Sequence, residues 1–549
     1  MKLLTIDEIW NDFDTLLKLE FEKNSDQISN GVSYHDFYFN GYKAIENSGI
    51  VRAHAVLATK ANDTSKRPTI VVVHGIFDSF IQKNWLQHFV EMGFNALWID
   101  LFSTAGIGTT YPENLAYCEK ELCKDHIDKI EIDAIHSPWI AWSSIIRRGI
   151  KASLIYEEVD KDNIGIIGGF DSSNIVWHVL AMEERVRCGA LLFNTSFFDQ
   201  LETNKFETRT ETLSDSDQMY LAGIASEAYA SRVNKPVFIQ TATNATYSDI
   251  DRSYELLNRT RGNKMIFVDA NSVQLLPSDA IEKARRYFSR VFNKEELPKA
   301  PEITFEQQGK NDLKVIVSLP KDAEKPRVYY SVGESNPFTR YYNVVYLREE
   351  NSRLVGDIKV YDDDSLVVAF ASANIDDIRV SSKIISIKAD KNTDKNSLVF
   401  SHGMNKKTFT AMCSDNTFEQ AEISSFVKRV EGPKGIKGIQ CAKPFSSLAT
   451  FKIFSSSIIV GNNLVIDVNS PEKQTIKIVI VQNYADDNER KYSASVEIIG
   501  GEEWDRITLS ASDFTDESGK ALETFKDNEL SLTYFETSYP IIINKILFL

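Results

Sequence analysis

The chain has 549 residues, 43% apolar and 26% charged, with a formal net charge of −16 at pH 7. That length exceeds a single core and implies about three or four units, while the composition excludes a disordered or membrane-embedded class. The acidic field has no local basic patch to override it, so nucleic acid is not an expected partner.

Met1 to Asn24 mixes acidic with apolar residues and has no apolar stretch of signal-peptide length. Ile541 to Leu549 is apolar, but Asn544 and Lys545 break it and it is too short to span a bilayer; a buried final strand is expected there. Neither export by a cleaved signal nor membrane attachment is therefore expected. Five cysteines are an odd, scattered set rather than a disulfide framework, which fits a reducing, cytoplasmic compartment. Cys118, Cys123 and His126 lie close together, yet zinc sites use tighter pairs and a fourth ligand. No metal and no other cofactor is expected.

Residues 6 to 21 read as an amphipathic helix, with Ile6, Ile9, Trp10, Phe13, Leu16 and Leu17 in one stripe. Two strands follow, Tyr34 to Phe39 and Val51 to Leu57. The pattern then becomes strand, helix, strand. Apolar, β-branched runs occur at Pro68 to Val73, Phe94 to Ile99, Ile164 to Ile167, Ala190 to Phe193, Val237 to Ile239 and Met265 to Val268. Helical stretches at Trp85 to Met92, Pro138 to Glu157, Asn174 to Glu184, Asp249 to Asn258 and Asp279 to Phe292 separate most of them. Such alternation predicts a parallel sheet covered on both faces, an α/β domain over residues 1–296.

After Leu297-Pro-Lys-Ala-Pro the helical signals stop. Short alternating runs at Leu313 to Ser318, Arg327 to Ser331, Tyr341 to Tyr346, Leu354 to Val360, Ser365 to Ser372 and Val380 to Ile387 predict an immunoglobulin-like β-sandwich over 297–390. A polar stretch, Lys388 to Asn396, reads as a linker. Further strands at Thr450 to Phe454, Asn463 to Asn469, Thr475 to Gln482, Ser493 to Ile499 and Arg506 to Leu509 predict a jelly-roll sandwich over 391–549.

Three segments carry a resemblance. Pro68-Thr-Ile-Val-Val-Val-His74-Gly75 runs from a buried strand into a His-Gly turn, and Asn163-Ile-Gly-Ile-Ile-Gly168-Gly169 runs from a strand into a tight corner. Lys235-Pro236-Val-Phe-Ile-Gln, with Thr243-Asn244 and Asp251-Arg-Ser-Tyr-Glu-Leu, is a strand, loop and helix. Together they resemble the acetyl xylan esterase and cephalosporin deacetylase branch of the α/β-hydrolase superfamily over roughly residues 33 to 293. The resemblance implies that Ile76, after the His74-Gly75 turn, supplies an oxyanion-hole amide.

It also implies a serine, an acid and a histidine at three positions, and each departs from the pattern. Gly168-Gly169-Phe170-Asp171-Ser172 puts Phe170 where the serine belongs. Ala245 stands where the acid follows the Thr-Asn pair. The stretch Asp269 to Ser278, with Gln274 near the histidine position, contains no histidine, so no imidazole base is expected there. Shifting the corner by one residue makes Asp171 a candidate nucleophile, as in dehalogenases and epoxide hydrolases on this fold, but the water that cleaves its ester would still need a base. The bland alternative is that Asp171 or Ser172 caps the helix near Asn174. His178 is expected to pack beneath the sheet, and His126 and His136 lie on an acidic excursion that could border the pocket.

The candidate pocket residues are thus His74, Gly75, Ile76, Phe170 and Asp171, walled by Leu101 to Gly108 and Phe197 to Tyr220. Near the C-terminus, Gly501-Glu-Glu-Trp504-Asp-Arg-Ile-Thr-Leu509, Asp513-Phe514 and Gly519-Lys-Ala-Leu522 resemble galactose-binding-like jelly rolls found as carbohydrate-binding modules. There Trp504 and the Asp-Phe pair are framework, and a sugar site would need exposed aromatics, with Tyr484, Tyr492, Tyr534 and Tyr539 as candidates. The leading expectation is an esterase-like protein with a degenerate triad that binds a small acyl or carbohydrate ligand; a homo-oligomer is compatible with it. Two others stay open: an active acyl or glycan esterase using other positions, and a carbohydrate-binding or scaffold protein.

Overall fold

The structure is a computed structural model, and it describes residues 2–11, 13–14, 17–44, 49–75, 84–102, 108–127, 129–194, 214–245, 248, 250–272, 279–308, 312–332, 340, 342–351, 353–359, 365–389, 398–401, 409–412, 427–441, 447–455, 461–484, 486 and 488–548 except for 461. The chain divides into two compact units. The first comprises Met1–Thr241, Asp251–Phe267 and Asp279–Pro298, and the second Ala242–Ile250, Val268–Ser278 and Lys299–Leu549.

The first unit is built on one mixed sheet of nine strands: β1 (Phe21–Ser29), β2 (Val32–Tyr42), β3 (Val51–Lys60), β4 (Arg67–Val72), β5 (Asn95–Asp100), β6 (Val159–Phe170), β7 (Val186–Asn194), β8 (Val237–Ala242) and β9 (Lys264–Asp269), in the order β1-β2-β3-β5-β4-β6-β7-β8-β9. β1, β2 and β3 pair antiparallel, and β3 is antiparallel to β5. The contacts β5-β4-β6-β7-β8 are parallel. The apolar runs that mark β4, β5, β7 and β8 are buried except at Pro68 and Trp98, as expected of a sheet covered on both faces. β1 is almost wholly exposed, and its polar sequence, Phe-Glu-Lys-Asn-Ser-Asp-Gln-Ile-Ser, gives no alternating signal, so no strand is expected there from the sequence. Its charged residues and a register break between Lys23 and Ser25 are devices that keep an edge strand from pairing further.

The helices are α1 (Ile6–Trp10), α2 (Trp85–Glu91), α3 (Pro138–Ser153), α4 (Ser173–Met182), α5 (Asp215–Gly223), α6 (Ser226–Ala230), α7 (Ile250–Arg259) and α8 (Ala280–Phe292). Ser137 caps α3 by accepting from the Trp139 N–H, with Pro138 in its first turn. The expected helix over residues 6 to 21 is corrected: it stops at Trp10. Asp14 takes a left-handed conformation, φ 65°, and its carboxylate pairs with Arg148 and Lys151 of α3. Arg148 also donates to the Asn40 carbonyl at 2.7 Å, to Asn40 Oδ1 at 2.8 Å and to the Leu17 carbonyl at 3.0 Å. A helix through residue 14 would forfeit these bonds to a buried guanidinium. Of the apolar stripe, Ile6, Ile9 and Trp10 are buried, with Trp10 donating to the Tyr229 hydroxyl at 3.1 Å, and Phe13 stacks on Arg147.

In the second unit two groups of sheets follow one another in sequence. β10 (Glu302–Gln308), β11 (Asp312–Ser318), β12 (Glu324–Val332), β13 (Asn343–Val345), β14 (Arg348–Glu350), β15 (Arg353–Lys359), β16 (Ser365–Ile375), β17 (Ile378–Ser381) and β18 (Ile385–Ala389) form a four-stranded sheet β10-β11-β15-β14 and a five-stranded sheet β13-β12-β16-β17, with β18 also on β16. The single strand expected over Val380 to Ile387 is two strands, because Ser382 breaks it: its hydroxyl accepts from the Ala371 N–H and donates to the Lys383 carbonyl. Both sheets contribute to one apolar core that includes Val315, Val317, Val328, Ile358 and Val367.

The remaining strands are β19 (Leu398–Ser401), β20 (Thr410–Met412), β21 (Val427–Glu431), β22 (Lys437–Cys441), β23 (Ser447–Thr450), β24 (Asn463–Asn469), β25 (Gln474–Gln482), β26 (Arg490–Ile498), β27 (Asp505–Ser510), β28 (Leu530–Glu536) and β29 (Ile542–Phe548). They make a six-stranded sheet β21-β22-β29-β24-β27, with β19 on β29, and a five-stranded sheet β20-β23-β28-β25-β26. The strand expected at Thr450 to Phe454 is instead the end of β23 followed by one helical turn, Lys452–Ser455. No described helix is long and apolar enough to cross a membrane.

Candidate functional site

β6 delivers its last residue, Phe170, to the corner where the chain enters α4. Phe170 has φ 49°, the left-handed region that costs a side chain with a Cβ about 1–2 kcal/mol. A strand-to-helix corner with one residue held there is the conformation that on an α/β-hydrolase sheet lifts the nucleophile into the pocket. Asp171 has no such φ and is half-buried. The strained position therefore belongs to the phenylalanine.

The crowding around the corner explains the small residues that flank it. A Cβ on Gly169 would lie 2.0 Å from the Leu192 carbonyl oxygen, and one on Gly168 would lie 2.6 Å from Val176 Cγ2 and 3.0 Å from Ser172 Oγ. Ser172 is fully buried. Its hydroxyl accepts from the Gly169 N–H at 3.0 Å and donates back to the Gly169 carbonyl at 2.8 Å, with the Val73 carbonyl 3.4 Å away. That side chain ties the turn together from below. It sits at the N-cap position of α4, which begins at Ser173, but it makes no capping bond to the helix; the expected cap is corrected, because the hydroxyl is spent on the turn. Beside the corner, β7 bulges, so that Phe193 also has positive φ, 56°, and its ring stacks on Phe170 with centroids 5.1 Å apart and planes 22° apart.

His74 is occupied by backbone on both sides. The Leu101 N–H donates to Nε2 at 3.0 Å, which fixes the other tautomer, and Nδ1–H points at the Gly75 carbonyl 2.9 Å away. Its ring stacks on Trp98, and burial pulls its pKa below the usual histidine value. A neutral, doubly bonded imidazole of this kind holds the turn after β4 against the end of β5. Ile76, the expected oxyanion donor, lies outside the described residues, as do most of Leu101 to Gly108 and the stretch 195–213 of the second wall.

The other described histidines have their own partners. His178 is fully buried: Nε2–H donates to the Ile224 carbonyl at 2.6 Å, and Nδ1 accepts from the Ser143 hydroxyl at 2.8 Å. Burial pushes its pKa down to about 4. His136 pairs with Asp133 at 2.8 Å, and His126 faces the Tyr117 ring. His35 and His54 bond Asp26 and Asp36, and His88 lies 3.8 Å from Glu91. Among the described residues, none of these rings bonds Phe170, Asp171 or Ser172. Burial also raises the thiols of Cys118 and Cys123, the latter to about 11. No group of described His, Cys, Asp and Glu residues could hold a metal ion.

The acid and histidine positions fall in the second unit. Ala245 is buried, and Gln274 lies outside the described residues. The loops that hold these positions are bonded to each other: Thr243 N–H donates to the Asp269 carbonyl at 3.0 Å, Asn244 N–H to the Ser272 carbonyl at 3.0 Å, and Asn271 N–H to Thr243 Oγ1 at 2.7 Å. Asn244 Nδ2 donates to the Arg340 carbonyl at 2.8 Å, and Asn271 makes two 2.7 Å bonds to the Tyr342 main chain. Sequence reasoning names Asn244 only as a marker of the acid position and does not single out Phe193 or Asn271. Phe193 looks like any strand residue, and the asparagines become legible only once their distant backbone partners are known.

Near the C-terminus, Trp504 donates from its indole N–H to the Pro433 carbonyl at 3.1 Å, and its ring fills the space where a Gly432 side chain would be. Tyr492 and Tyr534 are core, and Tyr484 is half-buried against Phe451. Of the four tyrosines only Tyr539 is exposed, at 41%, which is one aromatic face rather than a platform.

No protein-family model matches the chain, and no curated protein matches it. Solved structures similar to it include the acetyl xylan esterase from Paenibacillus sp. R4, at 14% identity over 53% of this chain and 96% of that one, TM-score 0.41. Acetyl xylan esterase 1 from Thermoanaerobacterium sp. JW/SL YS485 has 16% identity over the same shares, TM-score 0.41. The glucuronoyl esterase from Solibacter usitatus has 10% identity over 50% of this chain and 86% of that one, TM-score 0.36. The N-terminal half is built on a mixed, largely parallel nine-stranded sheet. What this fold contributes at the corner after β6 is a backbone shape, and the side chain carried there is a phenyl ring.

Proposed function

We propose that the N-terminal half is a hydrolase-fold binding module without serine-hydrolase chemistry, which takes a small acyl or carbohydrate ligand at the C-terminal edge of its sheet. The observation that carries this is the left-handed conformation of Phe170: the position that presents a nucleophile presents a carbon ring. The Phe170–Phe193 stack offers an apolar floor at the strand ends, where open α/β sheets bind ligands. The β-rich remainder is an immunoglobulin-like sandwich over 297–390 and a jelly roll over 391–549. Support comes from the division of strands between two sheets in each block. The part-buried Trp504 bond and the scarcity of exposed aromatics among its described residues support reading that jelly roll as framework rather than a sugar platform.

Incubation with a fluorophosphonate, followed by intact mass measurement, tests the proposal, because the reagent requires an activated serine. No adduct is expected. An adduct mapped to Ser172 or Ser173 would replace this reading with an active esterase that uses non-standard positions.

A further inference from the structure

We propose that the loops following β8 and β9 form a seat for polypeptide main chain, filled in cis by Arg340 and Tyr342, so that these residues act as an intrachain strap. The inference does not depend on whether the corner at Phe170 has any chemistry. Asn271 accepts from the Tyr342 N–H at 2.7 Å and donates to the Tyr342 carbonyl at 2.7 Å. It thereby reads both main-chain groups of one residue, as a neighbouring strand would, and is indifferent to the side chain there. Asn244 takes the carbonyl two residues earlier, that of Arg340, at 2.8 Å.

The seat is braced by bonds of its own. Thr243 Oγ1 donates to Asn244 Oδ1 at 2.8 Å, which turns the Asn244 amide so that its N–H₂ faces Arg340. The same hydroxyl accepts from the Asn271 N–H at 2.7 Å, and Asn271 holds φ 54°, a conformation asparagine tolerates better than most residues. A second tie runs from the Val268 N–H to Ser381 Oγ at 3.1 Å. Arg340 and Tyr342 are fully buried, so their main-chain groups depend on protein partners. The loops that on this fold carry the acid and the imidazole are here spent on holding chain, and they are expected to open with the strap as one cooperative unit.

Amide hydrogen exchange of the full chain, read on peptides covering 242–245, 268–272 and 340–346, tests this. In Asn271→Ala all three peptides should exchange faster together, about five- to thirtyfold. Asn271→Asp keeps the acceptor for the Tyr342 N–H but loses the donor, so it should fall between wild type and Asn271→Ala; it remains informative where the alanine variant does not fold. Asn244→Ala should reproduce the effect. Faster exchange confined to 268–272, or unchanged exchange at 340–346 in both Asn271 variants, would overturn the proposal.

Discussion

At the scale of single residues, Phe170 separates backbone strain from chemistry. The corner keeps its left-handed turn and the small residues that permit it, although the side chain at its apex can neither attack nor transfer a proton. Restoring the hydroxyl alone should therefore restore nothing: Phe170→Ser is expected to stay unreactive toward fluorophosphonate, since none of the described imidazoles bonds the corner. Mass measurement of that variant checks it, and rapid labelling would mean that a base does reach the site. His178 makes a second prediction. Its pKa of about 4 in the fold lies below the ordinary 6.5, so between those values the unfolded chain binds a proton that the folded chain refuses. Stability should accordingly fall as pH drops from about 6.5 to 4, by about 3 kcal/mol from this residue. Urea denaturation across that range should show a flatter profile in His178→Gln than in wild type; parallel profiles would contradict the assignment.

At the scale of elements, the sequence is most legible where burial is two-sided. β4, β5, β7 and β8 announce themselves as apolar runs, and α2, α3, α4, α7 and α8 fall where helical spacing predicts them, each within a few residues. What escapes is set by partners distant in sequence. The helix from residue 6 ends early because Asp14 finds Arg148 and Lys151, and β1 exists because β2 offers it a ladder. At the site, the departures at Phe170 and Ala245 are readable from the sequence through the esterase resemblance. The role of Ser172 is not, because whether a hydroxyl caps a helix or ties the preceding turn depends on a geometry of a few tenths of an ångström. Arg148 tests this element-level account. Arg148→Met should lower stability by about 3 kcal/mol, leaving Asp14 and Asn40 without their buried cation, and a loss under 1 kcal/mol in chemical denaturation would show that the N-terminal segment is held by other contacts.

At the scale of the whole molecule, sequence order is a poor guide to membership of the two units: Ala242–Ile250 and Val268–Ser278 belong with the C-terminal half. The final strand β29 lies inside its sheet, paired with β19, β22 and β24. Truncation after Pro540 should thus expose the core of that block, and limited proteolysis should cut throughout 398–540 in the truncated chain but not in the full one. The proposed binding role requires that the corner after β6 present no working nucleophile. Steady-state hydrolysis of a short acyl ester such as p-nitrophenyl acetate tests that most directly, with wild type compared to Asp171→Ala. The predicted result is a rate no higher than buffer for both; a wild-type rate well above buffer that disappears in Asp171→Ala would contradict it.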